Sequence, residues 1–250
     1  LKQIVFFSNG LVTEKAKVGD ALGTLYGYVF QTVDHGKRYV NPKGEWVVTG
    51  SENKGNPWSG TNQMVKVGNA FPDFVASMDN IISWKNLSFN FLIGWKHGGD
   101  LYDMGYLDAM RNGNLKETEF RNKTRILSGM MDNGHGGYVK NTIPLLITGE
   151  SYYRNWAHYW VSSQVLLQNG SWIKLRTIGL SYRFTGRLVK RAHLDKLIVF
   201  ANAHNIILWT PFKGFDPEAN SFSANSNIYG FTGLTVPLSQ SYSFGIKLEF

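Results

Sequence analysis

Asp216 and Glu218, two carboxylates flanking a proline in GFDPEAN, are spaced so that they could serve as general acid and general base at a scissile bond. The intervening Pro217 favours a different outcome. It predicts a turn in which the Asp side chain accepts hydrogen bonds from nearby backbone N–H groups. The six histidines, at 35, 97, 135, 158, 193 and 204, never recur at i, i+4 on a recognisable helix, so their spacing assembles neither a metal site nor a general base. His135 lies in DNGHGGY, which is rich in glycine but lacks the GxxxxGK[ST] order that cradles phosphate. No serine sits in a G-x-S-x-G elbow. With no cysteine there is no thiolate nucleophile, Cys-bound metal or disulfide framework. The expectation is a protein that is not an enzyme and holds no metal or cofactor.

The run YYRNWAHYW offers binding rather than catalysis. Tyr152, Tyr153, Trp156, Tyr159 and Trp160 could stack on sugars, dock a partner protein, or simply pack a long loop or an interfacial belt. Trp46 and Trp58 admit the same alternatives. The formal net charge of +8 raises nucleic acid as a partner, but the basic residues are dispersed. Their densest cluster, GRLVKRAHLDK at 186–196, reads as a turn between strands. No nucleic acid is expected.

The elements that would position these groups are strands. In SYSFGIKLEF, Tyr242, Phe244, Ile246, Leu248 and Phe250 alternate with Ser241, Ser243, Gly245, Lys247 and Glu249. Successive strand side chains point to opposite faces, so this is an unbroken two-residue period. The segment 87–96 places Leu87, Phe89, Phe91, Ile93 and Trp95 on one side and Ser88, Asn90, Leu92, Gly94 and Lys96 on the other. It follows PDFVASMDNIISW after only Lys85 and Asn86, which predicts a tight antiparallel hairpin. In SWIKLRTIGLSYRF, Ile178, Leu180, Tyr182 and Phe184 oppose Thr177, Gly179, Ser181 and Arg183. The stretch 194–209 is apolar on both faces at first, and its register stays ambiguous.

The apolar sides could face a soluble core, or lipid in an outer-membrane barrel whose polar sides line a wet interior. Mean hydropathy is −0.22 and no apolar run approaches 18 residues, which excludes a transmembrane helix but not a barrel strand. Three long segments, 9–71, 97–170 and 210–239, separate the strands; LYDMGYLDAM and YYRNWAHYWVSSQVL within them read as helical. Structureless loops of such length are unusual in a compact soluble domain. If Phe250 lies at the periplasmic end, every short turn is periplasmic and every long segment extracellular. The spanning strands are 72–84, 87–96, 171–184, 194–209 and 240–250, with the end of another at 2–7. Membrane barrels begin at about eight strands, and an open edge in lipid leaves backbone groups unpaired. The chain also begins without an initiator Met or a secretory signal. The expectation is a piece of a larger barrel.

GSWIKLRTIGLSYRF, LIVFANAHNIILWT, GFDPEAN and YSFGIKLEF, in that order, resemble the C-terminus of SusC/RagA-type TonB-dependent outer-membrane transporters. Upstream, VGDALGTLYGY, GNAFPDFVASMDNIISWKNLSFNFLIGWKHGGDLYD and GESYYRNW fit the same order. The resemblance implies an all-β fold, the C-terminal strands of an antiparallel transmembrane barrel of about 22 strands, with extracellular loops at 9–71, 97–170 and 210–239. It implies partners in the rest of the barrel and its plug, in TonB acting through that plug, in a SusD-like surface lipoprotein and in outer-membrane lipid. It implies import of glycans or peptides in a Bacteroidetes-type bacterium. On this reading Phe89, Phe91, Ile93, Trp95, Tyr182, Phe184, Tyr242, Phe244, Ile246, Leu248 and Phe250 face lipid. Ser88, Asn90, Lys96, Ser181, Arg183, Ser243, Lys247 and Glu249 face the lumen, and the aromatics of 152–160 meet substrate or the lipoprotein lid.

One stretch departs from the family. Where the first excursion often carries an acidic, calcium-like turn, this sequence reads RYVNPKGEWVVTG, with Asn41, Pro42 and Lys43 in place of acidic oxygens. Calcium takes six to eight oxygen ligands, and Glu45 alone does not supply them. The rival to the transporter reading is a secreted β-sandwich that recognises carbohydrate through its aromatics. A barrel hydrolase would need a nucleophile–base pair that the sequence does not present.

Overall fold

The computed structural model describes residues 2–49, 64–148, 163–219, 221–222, 226–233 and 235–250. These fall into two compact units. One comprises Pro72–Gly98, Gly170–Pro217 and Val236–Phe250; the other comprises Leu1–Phe71, Gly99–Asn169 and Glu218–Thr235.

The first unit is a five-stranded antiparallel meander. Its strands are β1 (Pro72–Trp84), β2 (Leu87–Gly98), β3 (Trp172–Phe184), β4 (Lys196–Trp209) and β5 (Ser241–Glu249), each paired with the next in the chain. β1 and β2 meet at Trp84↔Leu87, so the turn is the expected two residues. Lys85 takes φ 53, the left-handed conformation that two-residue hairpins use to match strand twist. The connection from β3 to β4 is not a plain turn. It contains a helical turn, Arg187–Arg191, whose Val189 is buried while Arg187, Lys190 and Arg191 are exposed.

The pairing resolves the ambiguous register of β4. Ile173, Leu175, Ile178, Leu180, Tyr182 and Phe184 of β3 stand opposite Trp209, Ile207, Ala203, Ala201, Val199 and Leu197. Apolar side chains occupy odd positions in β3 up to Leu175 and even positions from Ile178 onward. The switch is absorbed by a bulge at Arg176, opposed by Asn205 and Ile206 of β4, where Asn205 takes φ 55. A bulge inserts unpaired residues and re-phases the strand. Without it, half of β3 would present its apolar side chains to the wrong face.

The result is one apolar face running across all five strands, and it is not covered. Trp84 is 67% exposed, Trp209 54%, Phe244 80% and Ile246 66%. Fully burying one such side chain is worth about 1.5–3 kcal/mol. On the order of fifteen of them left half in water would forfeit on the order of 15–20 kcal/mol. That is as large as the whole net stability of an ordinary domain, so this face requires a partner of its own polarity.

The second unit holds the packed core. A four-stranded sheet takes the order Gln3–Ser8, Val12–Lys17, Thr24–Gly27, Val65–Asn69. A three-stranded sheet joins Leu167–Asn169, Asp100–Asp103 and Phe231–Thr232. The helix Met104–Asn112 starts where Asp103 Oδ1 accepts the Tyr106 N–H at 2.9 Å, and ends at Gly113, φ 76. Both are standard cap chemistry. Leu11, Val12, Leu25, Phe30, Tyr102, Met110, Ile147, Leu166 and Phe231 form its interior. The segments read as long irregular excursions therefore build a folded body with its own core.

The strand expected at 2–7 lies in this body and not beside the five. Asn9 Oδ1 accepts the Leu11 and Val12 N–H groups at 3.0 and 2.8 Å, and Gly10 takes φ 83. That turn folds Gln3–Ser8 back onto Val12–Lys17.

Candidate functional site: the polar face of the five-stranded sheet

Opposite the apolar face, register brings polar side chains into rows. Asn90, Gly179, Asn202 and Ser243 stand side by side on β2, β3, β4 and β5. A Cβ at Gly179 would meet the amide oxygens of both Asn90 and Asn202, so those side chains would have to move to admit one. Ser88 stands opposite Ser181 and is hydrogen-bonded at 2.6 Å to Ser83 on the preceding strand. Thr177 Oγ1 lies 3.2 Å from His204 Nδ1. Near the other end, Lys196 donates to Glu249 Oε1 at 2.8 Å and Lys247 reaches the same oxygen at 3.5 Å.

All eight residues expected at a lumen therefore share one face: Ser88, Asn90, Lys96, Ser181, Arg183, Ser243, Lys247 and Glu249. Phe89, Phe91, Ile93, Trp95, Tyr182, Phe184, Tyr242, Phe244, Ile246 and Leu248 share the other. Phe250, 85% exposed, follows the last residue of β5. The separation has exceptions. Val75 and Ile81 are exposed on the polar side, and Phe200 also lies there, where its ring fills the space above Gly245.

The most constrained polar group on this face was not among the candidates. Lys174 Nζ lies 2.8 Å from Asp216 Oδ1, and both side chains are 6% exposed. Asp216 Oδ2 also lies 3.5 Å from the Leu238 N–H. Asp216 therefore does not serve only its own turn, as GFDPEAN suggested. It holds a lysine 42 residues away. The nearby Trp172 ring lies 5.0 Å from the Arg176 guanidinium and 5.6 Å from Lys174 Nζ, in space that Gly94 leaves open. The one local signal was phase: Lys174 falls on the same side as Trp172, ahead of the bulge.

Elsewhere the candidates scatter. Tyr152, Tyr153, Trp156, Tyr159 and Trp160 lie outside the described residues, as do Trp58 and His158. Trp46 is buried, donates to the Ser128 carbonyl at 2.7 Å and meets Phe30 edge to face at 5.5 Å. Arg38 stacks over the same two rings and borders a cavity of about 540 Å³ that Lys37 and Lys140 also line. In the turn after Val40, Asn41 Oδ1 accepts the Lys43 and Glu45 N–H groups at 2.9 and 3.0 Å, and its amide donates to Glu45 Oε2 at 3.0 Å. The oxygens of that turn are committed to closing it. No group of three or more His, Asp or Glu side chains converges among the described residues.

Two acids in the packed unit show opposite electrostatics. Burial pushes the Glu14 carboxyl above its ordinary range, partly offset by the Tyr229 N–H at 2.9 Å. Asp20 is held below its ordinary range by hydrogen bonds from Lys66 and Tyr26. Burial and that carboxylate together push the Tyr26 phenol up to about 12.

No protein-family model matches the sequence. The chain is 22% identical over 218 residues to TonB-dependent receptor P26 of Formosa agariphila, across 86% of this chain and 20% of that protein. It is 21% identical over 252 residues to TonB-dependent receptor P3 of the same organism, across 95% and 23%. Among solved structures, the RagAB peptide transporter superposes with a TM-score of 0.59 at 16% identity, over 100% of this chain and 24% of that one. The RagAB peptide importer in its open-open state gives 0.53 at 15%, over 99% and 28%. The chain is similar in sequence to TonB-dependent receptors and in fold to the RagAB transporter. At these identities the structural likeness to RagAB is a likeness of fold. The chain spans about a fifth of the length of the curated TonB-dependent receptors it matches.

Proposed function

We propose that this chain is a C-terminal wall sector of a TonB-dependent outer-membrane importer. Its five strands belong to a closed barrel of about 22, whose remaining strands and plug come from the rest of the polypeptide. The observation that carries this reading is the sheet itself: a simple antiparallel meander with one continuous exposed apolar face and one polar face. A secreted sandwich would bury that apolar face beneath a second sheet. Acyl chains cover it equally well.

In this reading Phe89, Phe91, Ile93, Trp95, Tyr182, Phe184, Tyr242, Phe244, Ile246, Leu248 and Phe250 contact lipid, while Ser88, Asn90, Lys96, Ser181, Arg183, Ser243, Lys247 and Glu249 contact luminal water or the plug. The segments 9–71, 97–170 and 210–239 form the extracellular body. It meets a SusD-like lipoprotein and a glycan or peptide substrate there, with the aromatics of 152–160 at that contact. TonB acts through the plug. The chemistry required of this sector is confinement and hydrogen bonding, with no bond made or broken.

This chain carries no cysteine, so with any cysteine elsewhere in the full polypeptide replaced, single cysteines introduced here report alone. In the full polypeptide carrying this chain, Ser243→Cys should react with a water-soluble maleimide and Phe244→Cys should react only after detergent extraction. Equal labelling of both in intact membranes, or recovery of the protein in the aqueous phase without detergent, would sink the assignment.

A further inference from the structure

We infer that the apolar face carries a binding site for one anionic glycerophospholipid, with an acyl chain lying along β4 and the phosphate held at the 187–191 turn. The inference rests on the lipid-facing reading above and adds a defined ligand and leaflet to it.

The acyl-chain site follows from register. Across β3, β4 and β5 the facing triplets are Ile178–Ala203–Tyr242, Leu180–Ala201–Phe244 and Tyr182–Val199–Ile246. In each the central side chain is smaller than both neighbours, so β4 forms the floor of a furrow between two taller rows. A cavity of about 560 Å³ occupies it, walled by Leu180, Tyr182 and Phe184 on one side and Phe244 and Ile246 on the other. From Ala203 to Val199 the floor runs four residue steps, about 13 Å along the strand, and at Leu197, level with Leu248, the furrow ends. A barrel strand tilted by about 45° rises about 9 Å over that length, about a third of the roughly 30 Å hydrocarbon thickness. The furrow fits within one leaflet.

The phosphate site lies where the furrow ends. Beyond Leu197 the chain enters the connection that carries Arg187, Lys190 and Arg191. Buried Val189 anchors that helical turn and leaves the three cations exposed. None of the three forms an ion pair or a ring contact with another described residue, whereas nearby Lys196 is neutralised by Glu249. Unpaired arginines match phosphate oxygens through paired N–H donors. A neutral or cationic headgroup would gain nothing there.

Each cation at a membrane surface is worth about fivefold in affinity for an anionic lipid. The full polypeptide, purified in mild detergent and supplied with equal phosphatidylglycerol and phosphatidylcholine, should retain phosphatidylglycerol with at least about tenfold preference by native mass spectrometry. The triple variant Arg187→Gln, Lys190→Gln, Arg191→Gln should bring that preference to within about twofold. Ala201→Leu, which fills the floor, should lower retention of both lipids. Absence of a preference in the unmodified protein, or its persistence in the triple variant, overturns the inference. Heat-modifiable migration of the same samples reports barrel folding separately. A folded barrel without headgroup preference defeats this site alone, while failure to fold in detergent defeats the underlying transporter reading.

Discussion

Lys174 and Asp216 form a buried ion pair, 2.8 Å from nitrogen to oxygen, linking the start of one long strand to a turn 42 residues further along the chain. Desolvating two charges is costly, and the pair is tolerated only because each neutralises the other. Lys174→Ala strands a carboxylate in a nearly dry site and should cost about 3–5 kcal/mol. Lys174→Met combined with Asp216→Leu should cost far less. Unfolding midpoints of the three proteins in detergent check this, and an additive double variant would contradict it.

Gly179 separates two asparagines that close over it from both neighbouring strands. Gly179→Val should lower stability by about 1–3 kcal/mol, the usual range for overpacking. Asn90→Ala, which removes one of the two crowding side chains, should restore part of the loss in the double variant. A double-mutant cycle measures that coupling.

The two faces of β5 predict opposite tolerance at adjacent positions. Phe244→Lys places an ammonium on the apolar side and should cost about 2–4 kcal/mol if that position lies near the bilayer midplane. Ser243→Lys, one residue away on the polar side, should stay within about 0.5 kcal/mol. Folding titrations into lipid vesicles give both values, and a similar penalty for the two would contradict the facing proposed for this sheet.

Glu14 gives the packed unit a defined pH response. Its folded-state pKa is raised by burial, so the native state binds more protons than the unfolded state between the two values. Stability contributed through this group is present below the ordinary carboxylate pKa and is lost as pH rises through the raised one. Glu14→Gln should therefore flatten the loss of stability with rising pH. Thermal melts at acidic and neutral pH, compared between the two proteins, test this. A larger acid-to-neutral drop in the variant would reverse the assignment.

The long strands were legible because their signal is local. Alternation in 87–96 and 241–249 needs no knowledge of the partner strand, and the structure places β2 and β5 there. The register of β4 was not legible. Lys196–Trp209 is apolar on both sides at first, and only pairing with β3 across the Arg176 bulge selects one face. The folded body between the strands was hidden for a different reason. Its core draws Leu25, Tyr102, Ile147 and Phe231 from distant segments, and its strands are mostly too short to show a period. At the polar face, serines and asparagines announced themselves by alternation. The Lys174–Asp216 pair did not, because it joins two residues whose separation along the chain carries no pattern.

The facing bulges at Arg176 and Asn205–Ile206 also govern how this sector can vary among descendants. Losing Arg176 would leave Leu175 and Ile178 two residues apart, on one face and in phase with Ile93 and Phe91 of β2, whereas losing one residue between Ile178 and Phe184 would turn the part of β3 beyond it inside out. Single-residue length changes in β3 can therefore persist at the bulge and not within the regular stretch beyond it. Tolerated insertions and deletions should concentrate in the connecting segments and, within the sheet, at this bulge.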